Sequence, residues 1–429
     1  MPRAAVRWLL VTSAAVADAT PSPLVVRTVA VDDPGDLVAL LPPDEPLAWI
    51  RRGEGLVAWG ETARLEVDDP DRFELAENWW AALTGSAVVR DEVGVPGTGL
   101  VAMASIAFAG GSSVLVVPEV LVGHRVRAGR SVWWVTTVSV GNMPAAPVLS
   151  RQPKPSAPVG LRYADGAMSG AQWGGQVSEA VRRIATSELE KVVLARDLTA
   201  NADEPVDVRW PLRRLAALYP SCWTYSVQGL VGATPELLVR RERGLVTSRV
   251  LAGTIRRTGD DEHDLALAAA LARSSKDLEE HEYAVRSVAD ALASYCTSVN
   301  VPEAPFVLHL PNVMHLATDV AGVMDDDTSV LGLAAALHPT AAVGGTPTGS
   351  ALAAIAELEQ MDRGRYAGPV GWVDAHGDGE LGIALRCAQI DGSRLRLFAG
   401  CGIVAGSDPV AELAEAQAKL VPVRDALGC

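Results

Sequence analysis

Three stretches late in the chain decide its reading: RGRYAGPVGW at 363–372, ELGIALR at 380–386, and AGCGIVAGSDPVAELAEAQAK at 399–419. Two turn signals, His376-Gly377-Asp378-Gly379 and Asp391-Gly392, separate three apolar segments, so an antiparallel meander is expected. Arg386 falls in the middle segment among Ile383, Leu385 and Ala388. An arginine in such a strand needs an anionic partner. The following strand ends in Ala399-Gly400-Cys401-Gly402, where missing side chains let a ligand approach the backbone. Ser407-Asp408-Pro409 then caps a helix that carries Glu412, Glu415 and Lys419. Spacings of three and four place these on one helical face. An arginine, bare backbone and a carboxylate–lysine face in one unit point to an anionic ligand held with a metal. A solvated helix after an ordinary hairpin would carry the same pattern.

Composition narrows the classes. The 429 residues are 49% hydrophobic and 21% charged, with a net charge of −15, which argues against nucleic acid and against an anionic membrane surface. An anionic substrate would therefore need local compensation from arginine, lysine or a metal. Cys222, Cys296, Cys387, Cys401 and Cys429 are odd in number and form no CxxC, which fits reduced thiols in a cytoplasm. In residues 1–19, Thr12, Ser13 and Asp18 interrupt the apolar run after Arg3 and Arg7, so no signal peptide is expected. Residues 93–118 are uncharged and long enough to span a bilayer, but Gly110-Gly111-Ser112-Ser113 divides them. A buried hairpin is expected there, and no transmembrane helix.

Further outward, residues 25–150 read as a strand-rich half and 151–166 as a linker-like stretch within a single domain spanning 1–429. Beyond them the patterns predict a helix near 173–188, a strand at 191–198, a hairpin through 223–241 and a helical tract over 261–299. Shorter helices follow near 328–337 and 349–362. Strands and helices in blocks, without strict βαβ alternation, indicate an α+β fold of antiparallel sheets covered by helices.

Within this frame, Lys191 opens KVVLARD and shares a strand face with Val193 and Ala195. Desolvation there lowers a lysine's pKa and frees its amine as a general base, although a lysine snorkelling from a strand edge reads the same. Glu236, in GATPELLV, follows a turn and enters an apolar strand, where a raised pKa would suit a general acid. Asp277 and Glu280 lie three apart on a helix beside His281. With Glu412 and Glu415 they suit a hard, oxygen-ligated cation such as Mg²⁺. No Cys/His spacing argues for zinc or iron. His315 stands inside an apolar strand, as a satisfied core histidine or as a donor to a developing oxyanion or leaving group. Leu251-Ala252-Gly253-Thr254 joins a strand end to an arginine-rich turn, a place for contacts to a carboxylate.

The ordered set KVVLAR, ATPELL, LAGT, KDLEEH, HLAT, HPTAAVGG, RGRYAGPVGW, ALR, AGCGIV and ExxExxxK resembles the chorismate-utilising enzymes. These are isochorismate synthase, salicylate synthase, and the large subunits of anthranilate and aminodeoxychorismate synthases. The resemblance runs from about residue 37 to 427 and implies one large domain of two facing antiparallel sheets with helices outside. It implies chorismate as substrate, Lys191 as base, Glu236 as acid and His315 as a further catalytic group. Mg²⁺ would lie between Glu280 and Glu415, with Asp277 and Glu412 in the outer shell. Arg386, Tyr366 and the Gly402 backbone would hold the enolpyruvyl carboxylate. Gly253, Thr254, Gly400 and Lys419 would grip the ring end. A base lysine belongs to members that use water, so no glutamine amidotransferase partner is expected. Ala252 stands where aminodeoxychorismate synthases carry a lysine, and Ala342 where salicylate synthases tend to carry threonine. Isochorismate synthase is therefore the expected activity. Salicylate synthase is the alternative, and a non-catalytic chorismate-binding protein a more distant one. Cys401 and Ala416 depart from the usual alanine and threonine, which bears on pocket shape.

Overall fold

The computed structural model describes residues 7–10, 23–143 and 145–428. The expectation for residues 1–19 falls mostly outside these, although Arg7–Leu10 forms a strand antiparallel to Ala63–Val67. Among the described residues, the strands form one sheet of eleven and one of thirteen. Pairing is antiparallel except between Leu24–Ala30 and Val88–Asp91. The α+β class and the two sheets with helices around them are as expected. Residues 93–118 form the buried hairpin Val101–Ser105 and Ser113–Val117. No helix among the described residues is long and apolar enough to cross a membrane.

Both halves of the chain build both sheets. Val101–Ser105 pairs with Pro369–Asp374 in the smaller sheet, and Leu47–Arg51 pairs with Trp223–Val227 in the larger. Even the linker-like stretch supplies a strand, Arg162–Asp165, that pairs with Lys191–Asn201. Two expectations about elements fail. Arg72–Ser86 is a helix inside the strand-rich half, and the tract 261–299 ends as the strand Cys296–Asn300. In the second case β-branched Thr297 and Val299 fit a pleated edge better than a helical turn.

The meander needs a larger correction. The region contains two hairpins, not one three-stranded unit. Pro369–Asp374 and Gly379–Ile383 lie in the smaller sheet, whereas Cys387–Asp391 and Arg394–Ile403 lie in the larger. Arg386 is thus in the crossing between sheets, outside any strand, at a left-handed φ of 50°. Pro235 and Glu236 make a second crossing, between Leu230–Thr234 and Leu237–Glu242. The two crossings bond to each other, Ile383 N to Glu236 O at 3.2 Å and Ala233 N to Arg386 O at 3.3 Å. Where the chain leaves a sheet, side chains project into the space between layers, and this is where the chemistry gathers.

Glu380 ties the layers together. Its Oε2 accepts from Trp49 Nε1 at 2.9 Å and Trp223 Nε1 at 3.1 Å, both on the larger sheet. Oε1 pairs with Arg240 at 3.0 Å and Arg125 at 3.6 Å. Burial pushes this carboxyl's pKa up, but the two arginines and the two indole donors outweigh it and hold the pKa below the ordinary value. Removing one partner of a buried pair strands the remaining charges, at about 3–5 kcal/mol. Glu380→Ala is expected to lose roughly that stability in urea unfolding; a change under about 1 kcal/mol would show that the arginines find other partners.

Candidate active site

One cavity of about 230 Å³ lies at the crossings, lined by residues from every motif quoted above. Lys191 opens the strand Lys191–Asn201 and is 9% exposed, with Val193 on the same cavity wall. Glu236 is 6% exposed, and burial pushes its carboxyl up to about 7 despite Arg386, Lys191 and Lys419 pulling it down. A carboxyl with that pKa is largely protonated below neutrality and can donate a proton.

A β-bulge prepares the next wall. Gly253 interrupts the register between Leu245–Arg256 and Val313–Met324, so that Thr254 stands opposite His315. Their side chains meet at 3.0 Å between Oγ1 and Nδ1. Gly253 has φ +71°, and a Cβ there would come 3.2 Å from Asp277 Cβ, so glycine admits both the bulge and the helix beside it. Burial, then Arg386 and Lys419, push the His315 pKa down to about 3, so its imidazole is neutral. His315 Nε2 is buried without a hydrogen-bond partner among the described residues, and His315 lines the cavity.

At the opposite wall, strand alternation places Gly400 and Gly402 on the cavity side, whereas Cys401 is absent from the lining. Cys401 instead points its thiol at the Glu412 carbonyl, 3.4 Å away. The departure at Cys401 therefore does not alter the cavity wall, and neither does buried Ala416. A Cβ at Gly400 would meet Leu194 O at 3.0 Å and Tyr366 Oη at 3.2 Å. Tyr366 stacks on Phe398 at 5.0 Å, and burial raises its pKa, so the phenol remains a neutral donor. Ala342 lines the cavity beside Val343. Arg386 lines it too and makes no side-chain hydrogen bond to the described residues, which leaves its guanidinium for an anion.

The helix Pro409–Leu427, capped by Asp408 with Pro409 in its first turn, brings in Glu412, Glu415 and Lys419. Lys419 donates to Gly400 O at 3.0 Å and pairs with Glu415 at 2.7 Å. Burial pulls the Lys419 pKa down, but Cys401 and Glu415 together raise it above the usual value, so the amine stays charged. The helix Ser275–Ala293 presents Asp277 from across the cavity. The side chain of Glu280 lies outside the described residues. His281 is not among the lining residues, and its Nε2 bonds to Thr318 Oγ1 at 2.8 Å. The nearest potential donors of Cys401, Glu412 and Glu415 lie within 4.8 Å of one another. Glu412 and Glu415, the latter balanced by Lys419, with Asp277 elsewhere on the cavity wall, offer oxygen donors of the kind Mg²⁺ takes.

Every described residue expected at the site lines this cavity: Lys191, Glu236, Gly253, Thr254, Asp277, His315, Ala342, Tyr366, Arg386, Gly400, Gly402, Glu412, Glu415 and Lys419. Arg363 and Ser407 line it as well, without having been expected. Arg363 heads a motif already quoted, and Ser407 precedes the helix cap; position beside a motif was the available signal.

The chain matches the family described as chorismate binding enzymes over residues 146–428. It is 33% identical over 411 residues to a salicylate biosynthesis isochorismate synthase of Pseudomonas aeruginosa, covering 89% of this chain and 84% of that protein. It is 38% identical over 260 residues to the isochorismate synthase MenF of Bacillus subtilis, covering 60% of this chain but only 55% of that relative. A solved Bacillus anthracis chain described as a 2,3-dihydroxybenzoate-specific isochorismate synthase superposes with a TM-score of 0.76 at 31% identity. That superposition covers 91% of this chain and 98% of the other. With its motifs gathered on one cavity and these matches extending well beyond it, the chain belongs to the chorismate binding enzymes.

Proposed function

We propose that the protein is a Mg²⁺-dependent isochorismate synthase, reversibly isomerising chorismate to isochorismate. The observation that carries this reading is a buried acid, Glu236, pushed up to about 7 in the same cavity as Lys191. Lys191 takes a proton from the water that attacks C2, the ring double bonds shift, and the C4–O bond breaks as Glu236 protonates the departing hydroxyl. In the reverse direction the two groups exchange roles. Arg386, Tyr366 and the Gly402 backbone grip the enolpyruvyl carboxylate. Gly253, Thr254, Gly400 and Lys419 hold the ring end, and neutral His315 donates toward the ring hydroxyls. Bound Mg²⁺ would neutralise the ring carboxylate, with Glu415 and Glu280 holding it and Asp277 and Glu412 in its outer shell. The relatives named as isochorismate synthases support the same reading.

Ala342, in AAVGG, favours the simple isomerisation over a further elimination of pyruvate. Incubation of the purified protein with chorismate and Mg²⁺ near neutral pH is expected to give isochorismate as the main product by chromatography. Salicylate and pyruvate as the main products would assign the salicylate synthase reaction instead.

A further inference from the structure

The strand that carries Lys191 has an unusual edge. One edge of Lys191–Asn201 pairs with Arg394–Ile403 along ten residues, from Val192 opposite Ile403 to Asn201 opposite Arg394. The other edge pairs only at its ends, with Gly345–Thr346 at residues 191–192 and with Arg162–Asp165 at 198–201. Between them no strand among the described residues covers the backbone, although the strand is buried there. Buried peptide groups must nevertheless be satisfied.

One backbone carbonyl and three side chains fill the gap. Val193 N donates to Gly344 O at 2.9 Å, and Val193 O accepts from Arg363 Nη2 at 2.8 Å. Ala195 N donates to Glu359 Oε1 at 2.6 Å, and Ala195 O accepts from Trp173 Nε1 at 3.0 Å. Glu359 and Arg363 are themselves a buried pair, with Arg363 Nε on Glu359 Oε2 at 2.9 Å. Arg363 also donates through Nη1 to Val343 O at 2.9 Å and lies 4.2 Å over the Phe108 ring. Two arginines therefore line the cavity with opposite commitments. The Arg386 side chain makes no hydrogen bond to the described protein residues, whereas all three nitrogens of Arg363 are engaged by protein acceptors.

We infer that Arg363, held by Glu359, is a positioning residue: the pair stands in for a missing strand and fixes the wall bearing Lys191 against the wall bearing Ala342 and Val343. The bonds reach the backbone at Val193 and Ala195, the positions that share the Lys191 face. The same guanidinium fixes Val343, next to Ala342. A base must sit within hydrogen-bond reach of the proton it removes, so slack at this edge would displace Lys191 without touching the substrate grip. Arg363→Lys retains the charge beside Glu359 but cannot bridge three acceptors in a plane.

The inference rests on the proposed role of Lys191. Arg363→Lys and Glu359→Gln should each lower kcat for chorismate about 10–100-fold with chorismate affinity within about threefold, the cost of a displacement near 1 Å. Amide hydrogen exchange should quicken in a peptide spanning 191–197, while one spanning 198–201 stays protected by its strand partners. Affinity lost with kcat preserved would make Arg363 a ligand-binding residue and overturn the assignment. Unchanged exchange at 191–197, or equal acceleration throughout the chain, would overturn it as well. Wild-type protein that makes no isochorismate would defeat the proposed reaction, while the exchange experiment still decides whether the pair holds the strand.

Discussion

Lys191→Ala is expected to lower turnover of chorismate by about 10²–10⁴-fold, the usual contribution of a positioned general base, while chorismate affinity stays within a few-fold. The substrate carboxylates are assigned to Arg386, Lys419 and the metal, none of which this change removes. Glu236→Gln should cost a comparable factor, because glutamine keeps the shape and cannot release a proton. Since base and acid serve one coupled event, the double variant should lose far less than the product of the two factors. The acid also predicts a direction with pH. With its carboxyl pushed up to about 7 by burial, Glu236 is protonated below that value and ionised above it. Forward kcat/KM, which reports groups of the free enzyme, should fall as pH rises through about 7, and Glu236→Gln should abolish that limb. Near wild-type turnover in Lys191→Ala would make Lys191 a structural lysine and end the water-activation mechanism.

How much of this is legible in the sequence depends on the range of the interaction that decides each feature. The helix face of Glu412, Glu415 and Lys419 follows from spacing alone, and so does the strand beginning at Lys191. Arg386 was legible as a residue but not as a place. The apolar run Ile383, Ala384, Leu385, Cys387 and Ala388 contains no proline or glycine to mark a break, yet the chain changes sheets there. That break is set by the partner sheets and by the Pro235–Glu236 crossing, more than 140 residues earlier. The helix Arg72–Ser86 hides for a similar reason. Its Trp79 and Trp80 fall in the half that reads as strand-rich, and both indoles are buried in the core. The Glu359–Arg363 spacing of four is visible, but its partners, the Ala195 N–H that donates to Glu359 and the Val193 carbonyl that accepts from Arg363, are backbone groups of a distant segment, which no side-chain pattern encodes.

Treatment with EDTA is expected to abolish turnover, and Mg²⁺ to restore it. The cavity is already rich in negative charge. Glu412 and Glu415 enter from one helix and Asp277 from another, against one paired cation, Lys419, 2.7 Å from Glu415. Chorismate adds two carboxylates. Arg386 can answer one of them, and the ring carboxylate would then face the glutamates. At about 4 Å and an effective dielectric near 20, each such approach costs about 4 kcal/mol, close to a thousandfold in binding or rate. Partial burial weakens screening by salt, so raising ionic strength should not replace the ion. A divalent cation held by Glu415 and Glu280 would supply the positive charge that offsets this repulsion. Glu415→Gln should accordingly weaken Mg²⁺ binding in calorimetry as well as lower turnover. Full activity in metal-free buffer would remove the cation from the mechanism and leave Lys419 as the group that must neutralise the ring carboxylate.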